Sequence, residues 1–149
     1  MADAYYPPVG FHFSVELEGQ QSADMDCSFQ EISGLSRNVV MEDYAEGGEN
    51  RFTHKLPKGT NYENLVLKRG VVKGSRLVDW FKKAMEELEF EPINLSVNLL
   101  NEEHKKLCTW SLVHSLPVKW SVSGLNAESS GLLIETMEIN YHYFTYKLH

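Results

Sequence analysis

The stretch HKLPKGTNYENLVLKRGV, residues 54–71, decides how the rest of the chain is read. Its two halves differ in chemistry. His54 to Asn61 carries the turn formers Pro57, Gly59 and Asn61, with Lys55 and Lys58 flanking the proline, and reads as a basic loop. Tyr62 to Val71 reads as a strand, with Leu65, Leu67 and Val71 on one face and Asn64, Val66 and Lys68 on the other. Arg69 interrupts the apolar face, and Gly70 marks a bulge or the close approach of another backbone. Just upstream, EDYAEGGE at residues 42–49 is acidic. The order is acidic loop, short strand, basic loop, strand. It holds no reaction centre and has the pattern of a surface that meets another surface.

Working outward, the chain alternates apolar and polar residues in many short runs. After the proline-bearing arm YYPPVG at 5–10, residues 11–18 place Phe11, Phe13, Val15 and Leu17 inward and His12, Ser14, Glu16 and Glu18 outward. Residues 24–30 alternate again through Met25, Cys27 and Phe29, and the two runs read as a hairpin. A break at Gly34 precedes strand-like arms at 37–44 and 51–56 around the flexible tip at 46–50. One helix is expected after Gly74-Ser75, with Ser75 as its cap. Leu77, Trp80, Phe81, Ala84, Met85 and Leu88 recur at helical spacing, and Pro92 stops it. Its acidic last turn opposes the helix dipole, so packing of the apolar stripe must hold it. Strands are expected at 93–99, at 107–120 with an interruption at Pro117, and at 132–146. The fold class is mainly β with one packed α-helix: an antiparallel β-barrel or tight β-sandwich, as one domain over residues 1–149.

Composition narrows the function. The formal net charge of −7, from 14 basic and 21 acidic side chains, opposes general nucleic-acid binding, which rests on neutralising phosphates. No basic, apolar signal peptide opens the chain, and no run reaches the ~20 apolar residues of a membrane span, so cytoplasmic synthesis without a membrane anchor is expected. Cys27 and Cys108 fall on apolar strand faces and read as buried free thiols. The six histidines are scattered without zinc-site spacing. Asp24 and Asp26 point to solvent with no further carboxylate nearby in sequence. PKGT at 57–60 lacks the order of a phosphate loop, and no serine stands in a nucleophile elbow. No catalytic, cofactor or metal residue emerges. Structural assembly is the leading class and an adaptor module the second.

The order and spacing of several segments resemble the inner tube proteins of contractile injection systems and contractile-phage tails. FSVELEG at 13–19 with FQEISGLS at 29–36 looks like that family's opening hairpin. MEDYAEGGEN at 41–50 with HKLPKGTNYENLVLKRGV looks like its long loop and following strand. LVDWF at 77–81 matches its helix, and LCTWSLVHSLPVKWSVSGLNA at 107–127 with ETMEINYHYF at 135–144 its closing strands. The resemblance implies a β-barrel plus helix, related to the ring protein of type six secretion. It implies hexameric rings stacked into a hollow tube inside a contractile sheath, ending on a baseplate, spike and tube terminator, with cargo in the lumen and release as a phage tail-like particle. A baseplate or tube-capping paralogue is the alternative. The resemblance places the long loop at ring contacts, so Glu42, Asp43, Tyr44, Glu46, Gly47, Gly48, Glu49, Asn50, Arg51, His54, Lys55, Leu56, Pro57 and Lys58 are the expected stacking interface. On residues alone, the acidic and basic segments equally pair within one subunit as two sides of a hairpin. Asn94, Ser96 and Asn98 suit a wet channel wall, and equally an ordinary solvated strand.

Overall fold

The computed structural model describes residues 12–19, 29–71, 75–124, 127–128 and 133–149. The proline arm, Asp24, Asp26 and Cys27, and the loop glycines at 74 and 131, lie outside the described residues. Chain order is β1 (His12–Leu17), β2 (Phe29–Ser33), β3 (Arg37–Tyr44), β4 (His54–Tyr62), β5 (Leu65–Gly70), α1 (Arg76–Glu86), β6 (Ile93–Leu100), β7 (Lys106–Val122), β8 (Ile134–Asn140) and β9 (Tyr143–Leu148). Seven of these strands form one sheet in the order β1-β6-β7-β8-β5-β2, with β9 also on β7, while β3 and β4 form a separate pair. The mainly β architecture with a single helix is as expected, but the sheet is not a closed barrel. Among the described residues its path is open, and no ladder joins the end strands β1 and β2.

The centre of the sheet is β7. Its first half pairs with β6 on one side and β9 on the other, and its second half, from Leu116, pairs with β8. Residues 134–148 therefore run antiparallel along nearly all of β7. The expected single closing strand breaks at Tyr141-His142 into β8 and β9, and β7 breaks its course at the same level, where His114 takes φ +57°. Pro117 does not end β7; a register shift between Pro117 and Lys119 absorbs it. The first run pairs with β6, and β2 with β5; the second arm expected for the opening hairpin, residues 24–30, lies outside the described residues except for Phe29 and Gln30.

The opening stretch divides differently from the sequence reading. Residues 54–62 are a strand, not a loop, because β3 pairs with them from Arg37↔Tyr62 to Tyr44↔His54. Pro57 is tolerated beside a register shift at Val40/Met41, in a two-stranded pair with no central strand. In β5, Arg69 does not break the buried face. Leu65, Leu67 and Arg69 all point inward, and Arg69 is paired there with Glu135 of β8. The apolar core draws Val15, Leu95, Val97, Leu112 and Phe144 from one half of the sheet, Leu65, Leu67, Met137 and Ile139 from the other, and Leu77, Trp80 and Phe81 from α1.

The helix begins as its sequence dictates: Ser75 Oγ accepts the Val78 N–H at 3.3 Å, and Asp79 lies in the first turn where the dipole favours it. It ends at Glu86, so Leu88 is not part of the buried stripe. Gly34 is required where it stands. Its φ is +88°, and a β-carbon there would run into the Asn64 carbonyl oxygen.

Candidate assembly interface

The expected stacking residues gather on one feature, the β3–β4 hairpin. Glu42, Asp43 and Tyr44 end β3; Gly47 and Gly48 form the turn; His54, Lys55, Leu56, Pro57 and Lys58 begin β4. Every residue of β3 is exposed. The register sets Asp43 against Lys55 and Glu42 against Leu56.

Part of the charge is satisfied inside the hairpin. The His54 Nε2 lies 2.9 Å from Glu46 Oε2. Arg51 donates to Glu49 twice, Nε to Oε1 at 2.9 Å and Nη2 to Oε2 at 3.2 Å, and its backbone N–H adds a third bond at 3.1 Å. Those donors hold the Glu49 carboxyl below its ordinary range, the Arg51 side chain being the larger cause. By contrast, Glu42, Asp43, Lys55 and Lys58 make no ion pair among the described residues. Apolar groups share this surface: Val39, Met41, Tyr44, Phe52 and Leu56 are each about half exposed. An isolated two-stranded hairpin is marginal in water, and clustered exposed apolar side chains mark interfaces.

The hairpin is fixed at its base rather than along its length. Arg37, the first residue of β3, sits 5.5 Å above the Phe144 ring. Tyr62, the last of β4, meets Phe144 and Tyr141 edge-on at 5.2 and 5.8 Å. Tyr141 in turn donates its hydroxyl to the Gly34 carbonyl at 3.2 Å. Burial, with smaller contributions from Tyr62 and Glu63, pushes this phenol up to about 12. The sequence reading did not single out this aromatic anchor. Its members lie on three separate stretches, 34–37, 62 and 141–144, and only the fold brings them together.

The three channel-wall candidates separate. Asn94 is exposed at the start of β6 and accepts the His114 N–H through Oδ1 at 3.1 Å. Ser96 is half-buried, level with Ser111 of β7, which is level with Thr145 of β9. Asn98 is not outward: it is fully buried, donating to Ser14 Oγ at 3.3 Å and accepting from Thr109 Oγ1 at 2.8 Å. Ser14, expected outward, is buried by the same arrangement. An alternating strand assigns side chains to two faces, but only neighbouring strands decide whether the polar face reaches water.

Among the described residues no three His, Cys, Asp or Glu side chains converge as metal ligands. His114 and His142 stack at 4.1 Å, and His12 and His104 at 5.3 Å. Cys108 is a buried free thiol, its pKa raised chiefly by burial. Among the described residues no helix is long and apolar enough to cross a membrane.

Among the described residues the fold is an open antiparallel sheet with one helix and a separate β3–β4 hairpin whose β3 is exposed throughout. Residues 9–145 match the model of the T4-like virus tail tube protein gp19, and the chain belongs to that family. It is similar to a chain of the anti-feeding prophage (AFP) baseplate, six-fold symmetrised, with 32% identical residues over 99% of this chain and 97% of that one, at TM-score 0.80. Its fold is also that of a chain in the PVC sheath–tube complex of an extracellular contractile injection system in the extended state (20% identity, 98% and 95% coverage, TM-score 0.79). Hcp1 from Flavobacterium johnsoniae shares the fold more distantly, with 16% identity, 93% and 96% coverage and a TM-score of 0.57. No curated protein sequence matches the chain. The chain is thus a tail tube-like structural protein of the contractile injection systems.

Proposed function

We propose that residues 1–149 act as one domain that closes into hexameric rings, and that the rings stack head to tail into the hollow inner tube of a contractile injection particle. The surrounding sheath drives that tube through a target envelope, and the lumen carries cargo. The subunit is made and assembled in the cytoplasm and leaves as part of a phage tail-like particle, with baseplate, spike and terminator proteins at its ends. The observation that carries this reading is the β3–β4 hairpin. In a member of the tail tube family it presents Glu42, Asp43, Lys55 and Lys58, without ion pairs among the described residues, and a band of exposed apolar side chains. A head-to-tail contact that does not close generates a filament, and a hairpin displaying both signs of charge suits such a contact. Asn94 and Ser96, with Ser111 and Thr145 level with Ser96, supply polar surface suited to a channel wall, and Glu16 of β1 lies level with Ser96 beside them.

A second reading rests on the 32% identity to an AFP baseplate chain: a ring-forming baseplate or capping paralogue that does not polymerise. Negative-stain microscopy of the purified chain separates the two. Long tubes with six-fold end views support the tube subunit. Rings that never extend at any concentration support the paralogue, and a protein that stays monomeric overturns both.

A further inference from the structure

The β3–β4 hairpin joins the main sheet through two short stems, residues 34–37 and 62–64. Among the described residues, the side-chain hydrogen bonds and ring contacts that tie these stems to the sheet fall on one stretch, residues 138–144, where β8 gives way to β9. Arg37 lies 5.5 Å over the Phe144 ring, and Tyr62 meets the same ring at 5.2 Å and 76°. Asn64 Nδ2 donates to Glu138 Oε1 at 2.9 Å, and Asn64 Oδ1 accepts from Asn140 Nδ2 at 2.9 Å. The Tyr141 hydroxyl donates to the Gly34 carbonyl at 3.2 Å. This corner is held in its turn: the His142 N–H donates to the Val113 carbonyl at 2.9 Å, and its imidazole stacks on that of His114. Tyr141 and Phe144 belong to the buried core, whereas every residue of β3 is exposed.

We infer that Arg37, Tyr62 and Asn64 are positioning residues for assembly: by seating both stems on residues 138–144 they set the direction in which the hairpin meets the next ring. The inference rests on the stacking reading of the hairpin and says what aims it. The physical reason is leverage. β3 has eight residues, so at ~3.3 Å per residue its far end lies about 23 Å from Arg37. A tilt of ~10° at the base moves that end by about 4 Å, which breaks any hydrogen bond or ion pair made in the untilted position. A two-stranded hairpin has no third strand to correct the tilt. Phe144 is the shared pivot, with Arg37 over its face and Tyr62 steeply inclined to its plane, and the Asn64 amide fixes the second stem by two further bonds. Arg37 is exposed, where a cation over a ring adds little to stability. Its effect is on direction, so assembly should respond to its loss far more than folding does.

The test uses the full chain and reads two quantities for each variant: the Tm of the subunit, and the critical concentration above which tubes pellet. Arg37→Gln is expected to raise the critical concentration ~10-fold or more, with Tm lowered by no more than ~4 °C. Arg37→Lys keeps a cation over the ring and is expected to recover most of that loss. Phe144→Leu is expected to raise the critical concentration as well, and Arg37→Gln added to it to change the value by less than about twofold, because both remove one contact. Phe144 is buried and cannot touch another ring directly, so this non-additivity separates aiming from direct contact. Should Phe144→Leu fail to fold, Tyr62→Leu and Tyr62→Phe take its place: leucine is expected to raise the critical concentration, and phenylalanine, which keeps the inclined ring, to raise it much less. Normal tube growth by Arg37→Gln overturns the inference. So does a defect that Arg37→Lys shares in full, one that adds independently to that of Phe144→Leu, or equal effects of the two Tyr62 variants. If Lys55→Glu/Lys58→Glu blocks growth while Arg37→Gln does not, the inference falls and the stacking reading stands. If the lysine variant grows normal tubes, or the wild type grows none, both fall.

Discussion

Arg69 and Glu135 face each other across β5 and β8 with side chains 1% and 3% exposed. Arg69 Nη2 also donates to Ser75 Oγ at 2.6 Å, and Glu135 Oε1 accepts the Trp120 indole N–H at 2.7 Å. The guanidinium lies 4.9 Å over the Phe29 ring. Removing one member of a buried pair leaves an uncompensated charge and costs ~3–5 kcal/mol, whereas replacing both by apolar residues is often neutral. Glu135→Ala is therefore expected to lower stability by that order in urea melts, and Arg69→Met/Glu135→Leu to lose much less. A double variant as unstable as the single would shift the weight to Ser75 and Trp120. Tyr141 gives a pH dependence. Its folded pKa of about 12 lies above the ordinary 10.0, chiefly through burial, so the folded state holds a proton that the unfolded state releases first. The contribution is complete below pH ~10 and is lost as pH rises through ~12. Stability measured across that window should fall less steeply in Tyr141→Phe than in the wild type. Equal slopes would place the loss on other groups.

At the scale of elements, α1 is fixed at both ends by side chains rather than by its own propensity. Ser75 ties its start to Arg69 in the sheet, and Trp80 ties its exit to the Glu91 carbonyl. Between them Leu77, Phe81 and Ala84 are essentially inaccessible. Phe81→Ala is expected to destabilise the isolated subunit by ~3–5 kcal/mol, as large-to-small core changes do. Trp80→Phe keeps one six-membered ring but removes the pyrrole half of the buried indole together with its hydrogen bond, so a loss of at least ~0.5–1.5 kcal/mol is expected. Thermal melts measure both, and an unchanged melt for Phe81→Ala would mean the face does not carry the core. The hairpin is the opposite kind of element, with eight exposed residues in β3 and an anchor only at its base.

At the scale of the whole molecule, the charges that the hairpin leaves open to other subunits, among the described residues, are Glu42, Asp43, Lys55 and Lys58, because Glu46 and Glu49 are already engaged by His54 and Arg51. Exposed pairs contribute only ~0.2–1 kcal/mol each, but a ring repeats every contact by symmetry. Lys55→Glu/Lys58→Glu is expected to leave rings intact and block tube growth, and adding Glu42→Lys/Asp43→Lys in the same chain to restore it in part. Raised salt should weaken wild-type stacking, since screening acts over ~8 Å at physiological ionic strength. Normal tubes from the lysine double variant, seen by negative stain, would place the stacking contact elsewhere.

The sequence by itself determined the local periods: the alternation of β1 and β6, the capped helix after Ser75, and the mainly β class. These follow from which side chains can share one face of a strand or helix, a property of spacing alone. It also displayed the acidic and basic segments, while leaving open whether they pair within one subunit. Only tertiary structure decided the rest. Arg69 looks like a flaw in an apolar face until Glu135, 66 positions away, meets it. Asn98 looks solvated until Ser14 and Thr109 close on it from the adjacent strands. Residues 54–61 look like a loop until β3 lies beside them and fills their hydrogen bonds. In each case the outcome rests on a partner distant in sequence, and burial and hydrogen bonding are properties of the pair rather than of either segment.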